Sequence, residues 1–378
     1  MRLVLAHDGG IEVKRSIDGR SSRFQWIVLV LALALVAAAC GSSADGGDTA
    51  ASDATTTTEA AAEETTTTTE ALAEETTTTE AEPEETTTTA APEPTPIRLV
   101  FVPATTGLLV NVASEQGFFA DNGLDVELMP ATNISEIIPT LGQQVEISLG
   151  TATDLIRAGD SGLDVVQILG NTIDTEDNPF VRVIVPADSG IESVADLAGR
   201  RVSSPTLSGV INVATQFWAQ QEGIDPSSIE GVQVPPPATV EQFTAGQVDA
   251  AQALEPFASA LVGQGNVSIG DPFASIGLPL ATNFWIANGE WAANNAEAVA
   301  AFETSLEQAQ AFVESDEEAA RAVLQGFTGM PDAVAANARL PTFDLDVRTD
   351  DLNRWVDVLV SLNQFEGEID VDELVIGG

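Results

Sequence analysis

The sequence predicts an α/β fold for its C-terminal three quarters, and three observations predict it. At Ile97 the composition changes abruptly, from a tract of Thr, Glu, Ala and Pro to a regular alternation of apolar runs and longer helical patterns. The apolar runs are short and end in turn residues, as buried strands do. Strand, helix and strand then follow one another repeatedly, which argues for layered α/β packing with mostly parallel sheets. The 282 residues from Ile97 onward are enough for a large core or two lobes.

The chain before Ile97 divides at its only cysteine. Lys14, Arg15, Arg20 and Arg23 precede an apolar segment from Trp26 to Ala39, and Ala37, Ala38 and Ala39 lead into Cys40. That is the pattern of a signal peptide, residues 1–39, ending in a small-residue cleavage site. The apolar run falls short of the about 20 residues that span a bilayer. A lone cysteine makes no intrachain disulfide, and the sole histidine, His7, lies upstream, so no zinc site is expected either. Ala-Ala-Ala-Cys followed by Gly-Ser-Ser resembles a bacterial lipobox, although Ala37 stands where Leu is commoner. The resemblance implies that Cys40 is lipidated and that the mature chain is held at the outer face of the cytoplasmic membrane, touching the membrane only through this anchor. The alternative is an ordinary secretory signal with an incidental cysteine. After Cys40, the ragged Thr, Glu, Ala and Pro repeats as far as Pro96 carry almost no large apolar residue. Such a tract cannot offset the entropy of ordering, so residues 40–96 are expected to form a disordered stalk. At roughly 3.1 Å per residue it would reach on the order of 170 Å.

In the body, IRLVFV (97–102) reads as a buried strand followed by the loop Pro103–Gly107 and a helix from Leu108. DVELMPA (125–131), EISLG (146–150), DVVQILG (164–170) and VRVIVPA (181–187) supply further strands, with helical stretches between most of them. A second series runs through RVSSP (201–205), a helix over 208–222, VQVP (232–235), a short helix over 240–246 and VDAAQAL (248–254). TNFWIANG (282–289) reads as a strand, and 291–314, 316–326, 331–339 and 349–363 read as helices. The acidic run DTEDN (174–178) lacks the Gly and distal Glu of a calcium loop and reads as a solvated charge run.

Three segments carry a family resemblance. EQGFFADNGLDVELM (115–129), GIESVADLAGRRVSSP (190–205) and FTAGQVDAAQALEPF (243–257) are similar, in order and spacing, to segments of periplasmic-type substrate-binding proteins of ABC importers. The group in question serves sulfonates, taurine, nitrate and thiamine-pyrimidine precursors. The resemblance covers roughly residues 97–375. It implies a type II periplasmic-binding-protein fold, two α/β lobes joined by two crossing strands with a ligand cleft between them. It places the crossings near Val181–Val185 and Ala281–Ala287, so that lobe 1 comprises 97–184 and 280–378 and lobe 2 comprises 185–279. The implied function is capture of a small organic nitrogen- or sulfur-containing molecule for delivery to an ABC permease and its ATPase by a monomer.

Ligands of open α/β sheets sit beyond the carboxyl ends of strands, where loops and helix N-termini expose N–H groups. Four loops meet that condition. The first holds Thr105, Thr106 and Gly107, the second Thr151 and Ala152, the third Ser208, Gly209 and Val210. The fourth holds Glu255, a carboxylate that is costly to desolvate near a closing cleft unless it is paired, either with a ligand amine or with a neighbouring turn. Trp285, with Phe284 and Trp218, offers a stacking face or a place in the core. Helix capping is the competing reading for each loop. None of the four loops contains Arg or Lys, which favours a neutral heterocycle or an amine-bearing zwitterion over a dianion, while helix N-termini, which bind anions without basic side chains, leave sulfonate and nitrate open.

Charge and residue usage narrow the function class. From residue 97 onward the chain has nine Arg, no Lys, no His and no Tyr against 41 Asp plus Glu. Such a surface repels nucleic acid and anionic lipid. Enzymes of the same fold group that make the thiamine pyrimidine use a His, a Lys and a Cys-rich segment, which this region lacks. No G-x-S-x-G, P-loop or G-x-G-x-x-G match occurs. A non-enzymatic binding protein without a cofactor is therefore expected, with a ligand-binding sensor subunit as the alternative and a synthase-like enzyme as the more remote one.

Overall fold

The structure, a computed structural model, describes residues 93–376; the expected signal segment, Cys40 and nearly all of the expected stalk lie outside the described residues. In chain order the elements begin with β1 (Thr95–Phe101), α1 (Leu108–Glu115), α2 (Phe118–Asp121), β2 (Leu124–Pro130), β3 (Ile147–Gly150), α3 (Ala152–Asp160) and β4 (Val165–Asp174). A second set follows: β5 (Val181–Val185), β6 (Arg201–Ser204), α4 (Val210–Gln221), β7 (Glu230–Gln233), α5 (Thr239–Thr244), β8 (Ala250–Leu254), α6 (Phe257–Gly263) and β9 (Val267–Gly270). The chain then returns through β10 (Leu280–Asn288), α7 (Gly289–Asn294), α8 (Ala296–Ser315), α9 (Glu317–Thr328), α10 (Asp332–Asn337), β11 (Thr342–Asp344) and α11 (Thr349–Ser361).

These elements build two sheets, one of six strands in the order β11-β4-β10-β3-β1-β2 and one of five in the order β7-β6-β8-β5-β9. Apolar residues on both faces of β1, β3 and β8 are buried, as expected for strands covered by helices on either side. The sheets are mixed rather than mostly parallel. β1 pairs in parallel with β2 and β3, and β6 with β7 and β8. β10, by contrast, runs antiparallel between β3 and β4, and β5 antiparallel between β8 and β9. Each passage from one sheet to the other thus delivers the chain into a strand wedged between two neighbours of opposite direction.

That arrangement moves the first crossing. Val181–Val185, expected in the crossing with the lobe boundary after residue 184, lies wholly inside the second sheet, because its backbone pairs with β8 and β9. The passages between sheets are residues 175–180 and 271–279. Ala281–Ala287, expected in the second crossing, lies inside β10 of the first sheet. A third correction concerns DTEDN: Asp174 is fully buried, not solvated, because it ends β4, an interior strand of the first sheet.

One apolar cluster runs through the junction, joining Leu155, Phe284 and Trp355 to Phe180, Val181, Leu254 and Phe273. Trp355 of α11 meets Phe273 edge-on, with ring centroids 5.9 Å apart. α11 lies against both α3 of the first lobe and α4 of the second. Among the described residues no helix is long and apolar enough to cross a membrane.

Candidate functional site

The cavity between the sheets lies where strands end. Val102, Thr151, Thr206 and Leu254, which line it, stand at the carboxyl ends of β1, β3, β6 and β8, the parallel members of the two sheets. Phe180 and Phe273 from the two crossings also line it, with Thr282 and Asn283 of β10. Its volume is about 100 Å³. A dry cavity of about 150 Å³ holds one benzene ring, so a single-ring ligand needs the lobes somewhat further apart than they stand here.

Hydroxyl groups dominate the polar wall: Thr106, Thr132, Ser135, Thr151, Thr206 and Thr282. Asp154 is the one charged side chain among the described residues that line it. The carboxylate sits in the first turn of α3 and closes a capping box with Thr151. It accepts from the Thr151 Oγ1 at 2.6 Å, from the Thr151 N–H at 3.2 Å and from the Ser135 Oγ at 2.6 Å. Three donors hold its plane fixed, and its remaining lone pairs can accept from a bound molecule.

Of the residues expected at the site, Thr106, Thr151, Gly209 and Val210 line the cavity, and the structure brings them together from both lobes. Six do not line it. Thr105 is buried, and its Oγ1 donates across the lobes to the Glu255 carbonyl at 3.5 Å. Gly107 packs under β1, where a Cβ would meet the Phe101 ring and the Val102 carbonyl oxygen, each at 2.7 Å, so the glycine is required for close backbone approach. Ala152 faces the core, and Trp285 is fully buried edge-on to Phe302. Ser208 turns its carbonyl outward to the Arg157 guanidinium. Glu255, 1% exposed, gives its carboxylate to Arg182 and to the Ser259 N–H (3.2 Å), so the partner that offsets its burial is a cation of its own lobe.

The lobes also meet outside the cavity. Arg157 donates to the Ser208 carbonyl and to the Gln364 Oε1 (3.0 Å), and the Gln364 amide donates in turn to Gln216 at 2.6 Å. Burial holds the Arg157 guanidinium below its ordinary pKa, against the pull of nearby Asp154. Among the described residues no group of three or more His, Cys, Asp or Glu is placed to hold a metal ion.

Comparison with known proteins places the chain. A formylaminopyrimidine-binding protein of Halalkalibacterium halodurans is 29% identical over 116 residues, 30% of this chain and 34% of that protein. The nitrate import ATP-binding protein NrtC of Synechocystis is 27% identical over 213 residues, 50% of this chain and 29% of that protein. The chain thus spans about a third of the length of the curated relatives it matches. Two solved structures share its fold: the periplasmic aliphatic sulphonate binding protein SsuA of Escherichia coli (TM-score 0.63, 17% identity, 75% of this chain and 98% of that one) and the periplasmic nitrate-binding protein NrtA of Synechocystis (TM-score 0.66, 13% identity, 76% and 87%). The fold is accordingly the two-lobed type II form of periplasmic binding proteins. The family model described as NMT1/THI5 like matches residues 103–320, more than half of the sequence, and the chain belongs to that family.

Proposed function

We propose that this protein is the extracytoplasmic substrate-binding component of an ABC importer, tethered through Cys40, and that its ligand is a compact nitrogen heterocycle bearing an amine or ring N–H. One observation carries the reading: a small interlobe cavity lined by hydroxyls, with the Asp154 carboxylate as its only charged wall residue among those described. A fixed carboxylate attracts N–H donors and repels nitrate and sulfonate, whose capture would need cations or unopposed N–H groups at that wall. The named ligands of similar proteins include all three chemistries, and the wall chemistry favours the aminopyrimidine type among them. Thr and Ser hydroxyls without a His, Lys or Cys in the body provide no activated nucleophile, which supports binding rather than catalysis.

A thermal-shift screen of the full-length protein against aminopyrimidines, nucleobases, alkanesulfonates and nitrate tests the ligand class. A ligand at 100 times its Kd adds about 2.7 kcal/mol, enough to raise Tm by several degrees. Stabilisation by N–H-bearing heterocycles alone is expected; a shift with nitrate or sulfonates and none with heterocycles would overturn the assignment. The tether is checked in the same cells by labelling with an alkyne fatty acid, which should mark the protein and leave a Cys40→Ser variant unmarked.

A further inference from the structure

The regular strand pattern breaks where β10 meets the cavity. Thr282 and Asn283 are consecutive, and in a regular strand they would face opposite sides of the sheet, yet both line the cavity. Two bulges account for this. In the β4–β10 ladder Ala281 pairs with Ile173 and Asn283 with Thr172, which leaves Thr282 as an extra residue on β10; Phe284 then pairs with Gly170, which leaves Asn171 as an extra residue on β4. Bulges re-aim side chains where a strand meets a site. On its other edge β10 pairs Phe284 with Gly150 of β3, so Asn283 stands one step past that ladder, level with Thr151, whose Oγ1 and N–H hold the Asp154 carboxylate.

The hydrogen bonds behind Asn283 fix which way its amide points. Asn171, 1% exposed, donates from Nδ2 to the Thr106 carbonyl at 3.0 Å and to the Asn283 Oδ1 at 2.7 Å. A backbone carbonyl only accepts, so the nitrogen of Asn171 must lie on that side, and the atom it meets on Asn283 must be the oxygen. This holds even though it leaves the Asn171 Oδ1 buried without a partner, because the reverse would set an oxygen against the carbonyl. With its oxygen taken, Asn283 has only Nδ2 left to offer. One N–H goes to the Thr282 Oγ1 at 3.2 Å, and the second has no acceptor among the described residues. Thr282 supplies no donor of its own, since its hydroxyl is turned to Thr172, with the carbonyl at 3.3 Å and the Oγ1 at 3.1 Å. Asn283 is itself 5% exposed, so that second N–H has the cavity, not bulk solvent, as its outlet.

We propose that Asn283 selects the ligand for an acceptor: its second amide N–H bonds a ring nitrogen or carbonyl oxygen standing beside the N–H group that Asp154 receives, and Asn171 is the positioning residue that keeps the amide turned this way. The proposal rests on the reading of the cavity as the site of an N–H-bearing heterocycle. It narrows that class to molecules with a donor and an acceptor on one edge, as in an aminopyrimidine or a cyclic amide. Asp154 of α3 and Asn283 of β10 both belong to the first lobe, so their spacing is kept as the lobes open and close. A buried N–H left without an acceptor is costly, so a ligand that lacks the ring nitrogen is rejected and not merely held by one bond fewer.

The test compares 2-aminopyrimidine, whose amine is flanked by ring nitrogens, with aniline, which carries the amine alone; both are uncharged at neutral pH. Kd for the full-length protein is read by NMR titration of chain labelled with 15N-asparagine, which also reports the side-chain amides. Wild type should bind 2-aminopyrimidine about tenfold or more tightly than aniline. Only 2-aminopyrimidine should move the Asn283 Nδ2 resonance, which is identified by its absence from Asn283→Ala. That variant leaves Asn171 the Thr106 carbonyl as a partner, and it should cut the preference about fivefold or more, mostly by weakening 2-aminopyrimidine. Should it not fold, Asn283→Asp carries the test: it keeps an acceptor for Asn171, puts an oxygen where the N–H was, and should abolish the preference. Binding of both amines that Asp154→Asn weakens, with an equal preference in wild type and variant or an unmoved Asn283 amide, would overturn the role of Asn283 alone. Binding of neither amine would overturn it together with the reading of the cavity.

Discussion

Glu255 and Asp154 are both buried carboxylates at the cleft, and their partners separate their roles. Glu255 faces Arg182, whose side chain is 15% exposed, 73 residues away in sequence. Neutralising it leaves a guanidinium short of its counter-charge, so Glu255→Gln is expected to cost about 2 kcal/mol in urea unfolding, within the range for charged hydrogen bonds. The Kd for the cavity ligand should stay within about threefold. Asp154→Asn should do the reverse, weakening an amine-bearing ligand about tenfold or more with a smaller loss of stability. Calorimetry on the two variants separates the assignments, and a large Kd change confined to Glu255→Gln would sink them. The sequence made part of this site visible. Thr106, Thr151, Gly209 and Val210 follow strand ends, and the end of an apolar run marks such positions locally. Thr132, Ser135 and Asp154 lie in turns or in a helix's first turn, where hydroxyls and acids serve as caps and carry no separate mark. Thr282 and Asn283 sit inside an apolar strand, and Arg182 becomes Glu255's partner only once β5 is paired with β8.

At the scale of elements, most strands and helices were legible because each carries its own apolar run or period, whereas β9 and the three-residue β11 have no fully buried residue and so present no apolar run to read. Strand direction was not legible at all, since antiparallel β5 and β10 are as apolar as their parallel neighbours. What fixes β10 is partly a helix far along the chain. Asp351, in the first turn of α11, accepts from the Ala281 N–H at 2.7 Å, and Arg348 and Arg354 hold its two oxygens. Burial alone would raise its pKa; the bonds from Arg354, the Ala281 N–H and Arg348 outweigh that and hold it below the usual carboxylate value. A depressed carboxylate stabilises the fold above its unfolded pKa, about 4, and the gain is lost as pH falls through the folded value. Asp351→Asn should therefore cost about 2 kcal/mol at pH 7, and the gap to wild type should narrow steadily below pH 4. Urea titrations at pH 7 and pH 3 measure both, and a gap that is unchanged on acidification would contradict the electrostatic role of this residue.

For the whole molecule the question is what holds two acidic lobes together. With 41 Asp plus Glu against nine Arg beyond residue 97, the lobes repel, and added salt should ease their approach. Few polar contacts cross between them: Arg157 to the Ser208 carbonyl, Thr105 to the Glu255 carbonyl, and the Gln364–Gln216 and Gln220–Ser361 bonds beside α11. Arg157 is central among these, since it reaches both Ser208 and Gln364 while belonging to the helix that carries Asp154. A ligand shifts the lobes only by as much as it prefers the closed form, and its apparent affinity scales with the fraction already able to close. If the Arg157 bridge favours closure by about 1 kcal/mol, a usual net value for such a bond, then Arg157→Met lowers affinity about fivefold. The loss should fall mainly on the dissociation rate, because the bridge forms only after the lobes meet. The order of preference among ligands should stay as in wild type, because Asp154 and the hydroxyl wall are untouched. Small-angle scattering of the ligand-free variant should show a larger radius of gyration than wild type, and the difference should vanish at saturating ligand. Unchanged scattering together with an unchanged dissociation rate would show that the apolar cluster around Phe273 and Trp355, and not the polar bridge, sets the closed state.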